Sequence, residues 1–68
     1  MKRVHYQVSG LNNTTIKTQV KNVLSELAGV SMVNVDLGRG SVEVGFGEPA
    51  NEGEIRRGIE HAGCRIEG

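Results

Sequence analysis

Two side chains near the end of the chain could together bind a soft metal ion. Cys64 is the single cysteine, and His61 stands three residues before it in a His61-x-x-Cys64 spacing. A thiolate and an imidazole are good ligands for soft and borderline metals. Two ligands are too few for a closed tetrahedral site, so a second copy of the chain or further donors would have to complete it. The alternative is a small semi-buried cysteine beside a solvated histidine.

A polar loop, Asn12-Asn13-Thr14-Thr15, leads directly into a helical pattern. Asn13, Thr14 and Thr15 can each cap a helix N-terminus, because each side chain carries an oxygen that accepts from a free backbone N–H. With Lys17 one turn further on, the same donors could hold a phosphate or a carboxylate. Ordinary capping needs the same residues and is the favoured interpretation.

No group of residues has the pattern of an enzyme active site. We find no Ser/His/Asp grouping, no paired carboxylates in a motif and no phosphate-binding loop. His5 alternates with Arg3 and Gln7 on the polar side of a strand pattern, which indicates a solvated sheet face. The sequence therefore predicts a protein that is not an enzyme.

Charge and composition argue against a nucleic-acid partner. The 68 residues include eight basic and eight acidic side chains, so the net charge is zero, and aromatic residues make up 3%. Nucleic-acid-binding domains usually carry a basic excess, and single-strand binders add aromatic stacking residues. We therefore expect no nucleic-acid partner.

The length predicts a single domain over residues 1–68. A membrane-spanning helix needs about 20 apolar residues, and the sequence has no such run and no signal-peptide pattern. One cysteine allows no internal disulfide, which favours a reducing compartment. We expect a cytoplasmic domain, either a free small protein or a piece of a larger one.

The first half of the chain reads as strand, helix and strand. Residues Lys2–Ser9 alternate, with Val4, Tyr6 and Val8 on one side. Apolar residues at three- and four-residue spacing predict a helix from Thr14 to Leu27, ended by Gly29 as a left-handed cap. Alternation returns over 30–37.

The second half of the chain repeats the order of strand, helix and strand. A glycine turn over 38–40 leads into a strand over 41–46, which makes a β-hairpin. Asn51 is a candidate N-cap for a second helix that ends at Ala62-Gly63, and residues 64–67 form a short last strand. The order β-α-β-β-α-β predicts an α+β ferredoxin-like fold, a four-stranded antiparallel sheet with both helices on one face.

Several segments in this order resemble the heavy-metal-associated domains, which include copper chaperones and the N-terminal modules of metal-transporting P-type ATPases. The matching segments are Val8-Ser9-Gly10-Leu11, Val23-Leu24, Ala28-Gly29-Val30, Val33-Asn34-Val35-Asp36 and Ile59-Glu60-His61-Ala62-Gly63. The resemblance covers nearly the whole chain and implies a role in metal-ion binding or trafficking.

The family's metal signature, Gly-Met-x-Cys-x-x-Cys, is replaced in this chain. Gly10 is kept, Leu11 stands at the methionine, Asn13 at the first cysteine and Ile16 at the second. Two thiolates at that spacing bind Cu(I) or Zn(II), whereas an amide and an aliphatic side chain do not replace them. The degenerate loop implies that direct metal binding is weak or lost.

The resemblance also implies where residual chemistry would lie. In this fold the loop after the second helix lies beside the metal loop, so Cys64 is expected near Asn13 and Thr14. Cys64, with His61 and Asn13 as helpers, is the candidate site for weak Cu(I) or Zn(II) binding, alone or bridged in a weak dimer. The alternative is that no metal binds.

In chaperones of this family, a charged surface around the metal loop docks a partner domain. The corresponding residues here are Leu11, Asn12, Thr14, Thr15, Lys17 and Lys21. The resemblance implies a protein partner of the same family, such as a P-type ATPase module. Two functions stay open, a metal-trafficking domain and a non-catalytic interaction module that binds no metal. A small-ligand regulatory domain is a third and weaker option.

Overall fold

The computed structural model describes residues 2–67. Its elements are β1 (Lys2–Ser9), α1 (Thr14–Ser25), β2 (Val30–Asp36), β3 (Ser41–Phe46), α2 (Glu52–His61) and β4 (Arg65–Ile66). Their order confirms the predicted β-α-β-β-α-β chain. No helix within residues 2–67 is long and apolar enough to cross a membrane.

The four strands form one antiparallel sheet in the order β2-β3-β1-β4. The central pair places Val4 opposite Val44 and Tyr6 opposite Val42. These partners share one face of the sheet, and both helices pack against it, as the ferredoxin-like fold requires. The predicted fold class is therefore confirmed.

The helices begin where the capping residues predict. Asn13 and Asn51 are the N-caps, and their side-chain oxygens accept from the backbone N–H of Ile16 and Glu54, each at 2.9 Å. Each bond satisfies a donor that has no partner within its own helix. Both starts agree with the sequence prediction.

The end of α1 differs from the prediction. The helix ends at Ser25 rather than Leu27, because the backbone N–H of Leu27 bonds to Leu24 and the N–H of Val30 bonds to Leu27 in a tightening turn. Gly29 adopts the expected left-handed conformation, with φ of 96°, but in this turn rather than at the helix cap. Smaller differences affect β2, which ends one residue early, and β4, which starts at Arg65.

The core lies between the sheet and the helices. Its fully enclosed side chains come from both helices and from β3: Leu24, Ile55, Ile59, Val20, Val42 and Val44. The opposite face of the sheet is polar, and Arg3 there forms an ion pair with Glu43 at 3.8 Å. His5 is exposed on that face, as its alternation predicted. The loops at the two ends of the sheet therefore connect elements that share one core.

Candidate functional site

Two loops meet at one end of the sheet, where β1 leads into α1 and α2 leads into β4. Gly10 has a φ of 88°, and a Cβ atom there would lie 3.1 Å from the Gly63 carbonyl oxygen and 3.6 Å from the Cys64 Cα. Only glycine allows this approach without displacing the backbone. The expectation that these two loops are neighbours is confirmed.

The side chain of Leu11 packs the β1–α1 loop against the core. It is 7% exposed and belongs to the core cluster, while the next four side chains, Asn12 to Thr15, are exposed. Within the predicted partner surface, Leu11 therefore supports the loop rather than facing solvent.

Asn13 is committed to the helix start. Its side-chain oxygen accepts from the Ile16 N–H at 2.9 Å, and its backbone oxygen accepts from the Lys17 N–H at 3.1 Å. The amide oxygen that could face a metal is thus already a hydrogen-bond acceptor. Releasing it would leave a helix-start donor to be satisfied by water.

Ile16, at the position of the family's second cysteine, fills space between the loops. It is half-buried against the core, and its Cδ1 lies 4.0 Å from the point that a Cβ of Gly63 would occupy. An aliphatic side chain here offers packing and no ligand atom. The space between the loops is therefore apolar on this side.

Cys64 belongs to the end of α2. The N–H of Gly63 bonds to Glu60 and the N–H of Cys64 bonds to Ile59, while Gly63 has a φ of 107°. These are the two bonds of a Schellman cap, a motif in which the residue after the glycine packs back on the helix. Cys64 is accordingly 4% exposed, beside the fully buried Ile59.

The thiol of Cys64 is held in its protonated form by this position. Burial raises the pKa of the Cys64 thiol above its ordinary value, because the charged thiolate loses solvation. The thiolate is the form that binds metals and attacks electrophiles. A soft metal would thus have to displace a proton from a buried group.

His61 lies on the last turn of α2 with its side chain exposed. It lines a cleft with Val23 of α1 and with Leu27 of the turn that follows α1. No three His, Cys, Asp or Glu side chains within residues 2–67 converge as a metal site would require.

The outer surface of α1 is basic. Its sequence contains no acidic residue, Lys21 is exposed and Lys17 is half-buried. Neither lysine forms an ion pair among the described residues. Together with the exposed loop residues Asn12, Thr14 and Thr15 they make up the polar part of the predicted partner surface, and we call this set of residues the docking face.

Sequence reasoning missed a cluster around Tyr6. The Tyr6 hydroxyl donates to the Glu52 Oε1 at 3.3 Å, and the Arg56 guanidinium lies 5.8 Å from the ring centroid. Burial and the neighbouring Glu52 carboxylate raise the pKa of Tyr6, against a lowering by Arg56. No sequence signal links these residues, because 46 positions separate Tyr6 from Glu52.

Comparison with known proteins agrees with this architecture. The family model described as "Heavy-metal-associated domain" matches residues 5–64. A search of curated proteins gave no significant match. Among solved structures, the CopZ metallochaperone has a TM-score of 0.92 at 22% identity, covering 97% of this chain and 100% of that one.

Two further structures have somewhat higher identity. A copper-binding domain from HMA7, a P-type ATPase, has a TM-score of 0.89 at 25% identity, covering 100% of this chain and 96% of that one. The putative copper-ion-binding protein from Bacillus anthracis str. Ames has a TM-score of 0.89 at 27% identity, covering 97% and 94%. The family is one of non-catalytic metal-binding modules. The chain belongs to the heavy-metal-associated domain family.

Proposed function

We propose that this domain acts in metal trafficking chiefly by docking a partner domain, and that its own binding of Cu(I) or Zn(II) is weak. The observation that carries this proposal is that residues without a thiol stand at the two positions of the family's cysteines. Asn13 caps α1 there, and Ile16 packs toward Gly63. The scaffold of the loop is kept, through Gly10 and Leu11, while its ligands are replaced.

The docking face supports the first half of the proposal. Lys17 and Lys21 stand one turn apart beside the exposed loop residues, with no acidic residue in α1 to neutralise them. A partner with an acidic surface complements this charge. A domain of the same family, such as a P-type ATPase module, is the proposed partner, met in the cytoplasm by a monomer or weak dimer.

Residual metal binding, in this proposal, depends on Cys64, with His61 and Asn13 as helpers. Cys64 supplies the one soft ligand atom near the loop, and its raised pKa adds to the free-energy cost of losing the thiol proton when a metal binds. A metal bridging two copies through two Cys64 thiolates would raise the number of soft ligands. Replacing Cys64 with serine removes the thiol in either arrangement.

A titration of the reduced protein with Cu(I) and Zn(II), without oxygen, tests the metal half. In backbone amide NMR we expect small shifts near residues 12–15 and 61–65, and none in Cys64→Ser. The double variant Asn13→Cys/Ile16→Cys restores the family spacing and should bind one Cu(I) at least a thousandfold more tightly, since two thiolates then converge.

The matched control is Asn13→Ser/Ile16→Ser, which changes the same positions without adding thiols. If the unaltered chain bound Cu(I) as tightly as the double cysteine variant, weak binding would be wrong. Unchanged Cu(I) affinity in Cys64→Ser would remove Cys64 from the proposal.

A further inference from the structure

An open cleft runs along the seam between the two helices. Its volume is about 330 Å³, at the lower end of the range typical of small-ligand sites. It is lined by Val23 from α1, by Leu27 from the turn after α1, and by Glu54, Arg57, Gly58 and His61 from α2. None of these residues belongs to the docking face.

The apolar floor of the cleft follows from Gly58. A Cβ atom there would lie 3.0 Å from the Leu24 Cδ2 and 3.3 Å from the Val23 Cγ1, so the helices approach as closely as side chains permit. The half-buried Val23 and Leu27 border the cleft beside this close helix contact. The cleft therefore offers aliphatic contact to a ligand.

The charges on the rim are asymmetric. Glu54, Arg57 and His61 follow one another at three- and four-residue spacing, which puts them on one stripe of α2. Glu54 accepts from the Asn51 Nδ2 at 3.2 Å. The side chains of Arg57 and His61 have no hydrogen bond or ion pair with any residue from 2 to 67. The donors next to the apolar floor are thus free.

We propose that this cleft binds a small monocarboxylic acid with an apolar body. The carboxylate would bond to Arg57 and His61, since a guanidinium and an imidazole N–H both donate to carboxylates. The apolar chain would cover Val23 and Leu27. Glu54, about two turns from His61, repels a second carboxylate and so favours acids with only one. This site shares His61 with the proposed metal site and shares no residue with the docking face.

An amide NMR titration with hexanoate tests the proposal. We expect saturable shifts confined to the cleft residues, with a dissociation constant on the order of 1 mM for so small a ligand. Hexanamide keeps the chain and removes the charge, while adipate adds a second carboxylate. Both should bind at least fivefold more weakly, because hexanamide loses the negative charge that strengthens the bonds to Arg57 and His61, and adipate adds a repulsion with Glu54.

Adjacent arginines provide a matched pair of variants. Arg57→Gln should weaken hexanoate binding about tenfold, the loss of a charged hydrogen bond. Arg56→Gln should leave it unchanged, since Arg56 lies over the Tyr6 ring. Equal losses in both variants, equal binding of hexanamide, or shifts that do not saturate would each overturn the proposal.

Discussion

Cys64 illustrates how a single residue can combine two roles that conflict. Its backbone completes the cap of α2 and the residue is 4% exposed, yet it is the one thiol beside the β1–α1 loop. Packing and reactivity make opposite demands, because a buried thiol is protonated and a metal-binding thiol is ionised. The position after Gly63 therefore favours packing.

This conflict predicts slow thiol chemistry. At pH 8 in the absence of denaturant, iodoacetamide should modify Cys64 at least tenfold more slowly than in the same chain unfolded in urea, because access and ionisation are both reduced. Mass spectrometry of timed samples gives the rate. Equal rates in the folded and unfolded chain would contradict the buried position.

Stability should also depend on pH through the same thiol. Its pKa is raised in the folded state, so the folded chain binds more protons once the unfolded thiol begins to ionise near pH 9. The stabilising contribution is complete below that pH and declines as pH rises through the folded pKa. Urea unfolding from pH 7 to 10.5 measures this contribution. The free energy of unfolding should fall more steeply with rising pH in the unaltered chain than in Cys64→Ala, because the variant lacks the thiol and keeps the raised pKa of Tyr6.

At the scale of the elements, the sequence predicted the fold because its local signals agree. Alternation over β1, the caps Asn13 and Asn51 and the helix end at Ala62-Gly63 each point to the observed structure. The predicted end of α1 was wrong, because Leu27 has helical spacing in the sequence but packs against the core from the turn after the helix.

The functional features of the elements were less visible in the sequence. In the sequence, Gly58 only lowers the helix propensity of α2, whereas in the structure it allows α1 to approach closely. The cleft beside it lies between α1 and α2, which the β2–β3 hairpin separates in the sequence. A single sequence contains no pairwise signal for such contacts.

Helix α1 carries the prediction for docking. Lys17→Gln/Lys21→Gln should weaken binding of an acidic heavy-metal-associated domain about fivefold at low salt and flatten its salt dependence, because exposed charges act mainly through screened attraction. Isothermal titration at two salt concentrations measures both effects. Lys2→Gln, at the far end of β1, is the control, and an equal loss there would point to net charge rather than to this face.

At the scale of the whole molecule, two loops at the end of the sheet opposite the β1–α1 loop are joined by a backbone hydrogen bond. The Gly47 N–H donates to the Gly29 carbonyl at 2.8 Å, joining the α1–β2 loop to the β3–α2 loop. A Cβ at Gly29 would lie 2.3 Å from the Gly47 oxygen and 2.8 Å from the Ala50 nitrogen. Backbone atoms thus leave no room for a side chain at Gly29.

Gly29→Ala should therefore destabilise the domain by about 3 kcal/mol, from the positive φ and from overpacking together. A domain of this size has roughly 3–10 kcal/mol in total, so the loss should lower the melting temperature by well over 10 °C. Gly47→Ala is the matched control, because a Cβ there meets nothing within 4 Å, and it should change stability by less than about 0.5 kcal/mol. Thermal unfolding followed by circular dichroism compares the two variants. Similar melting temperatures would mean that the two loops can separate while the shared core stays folded.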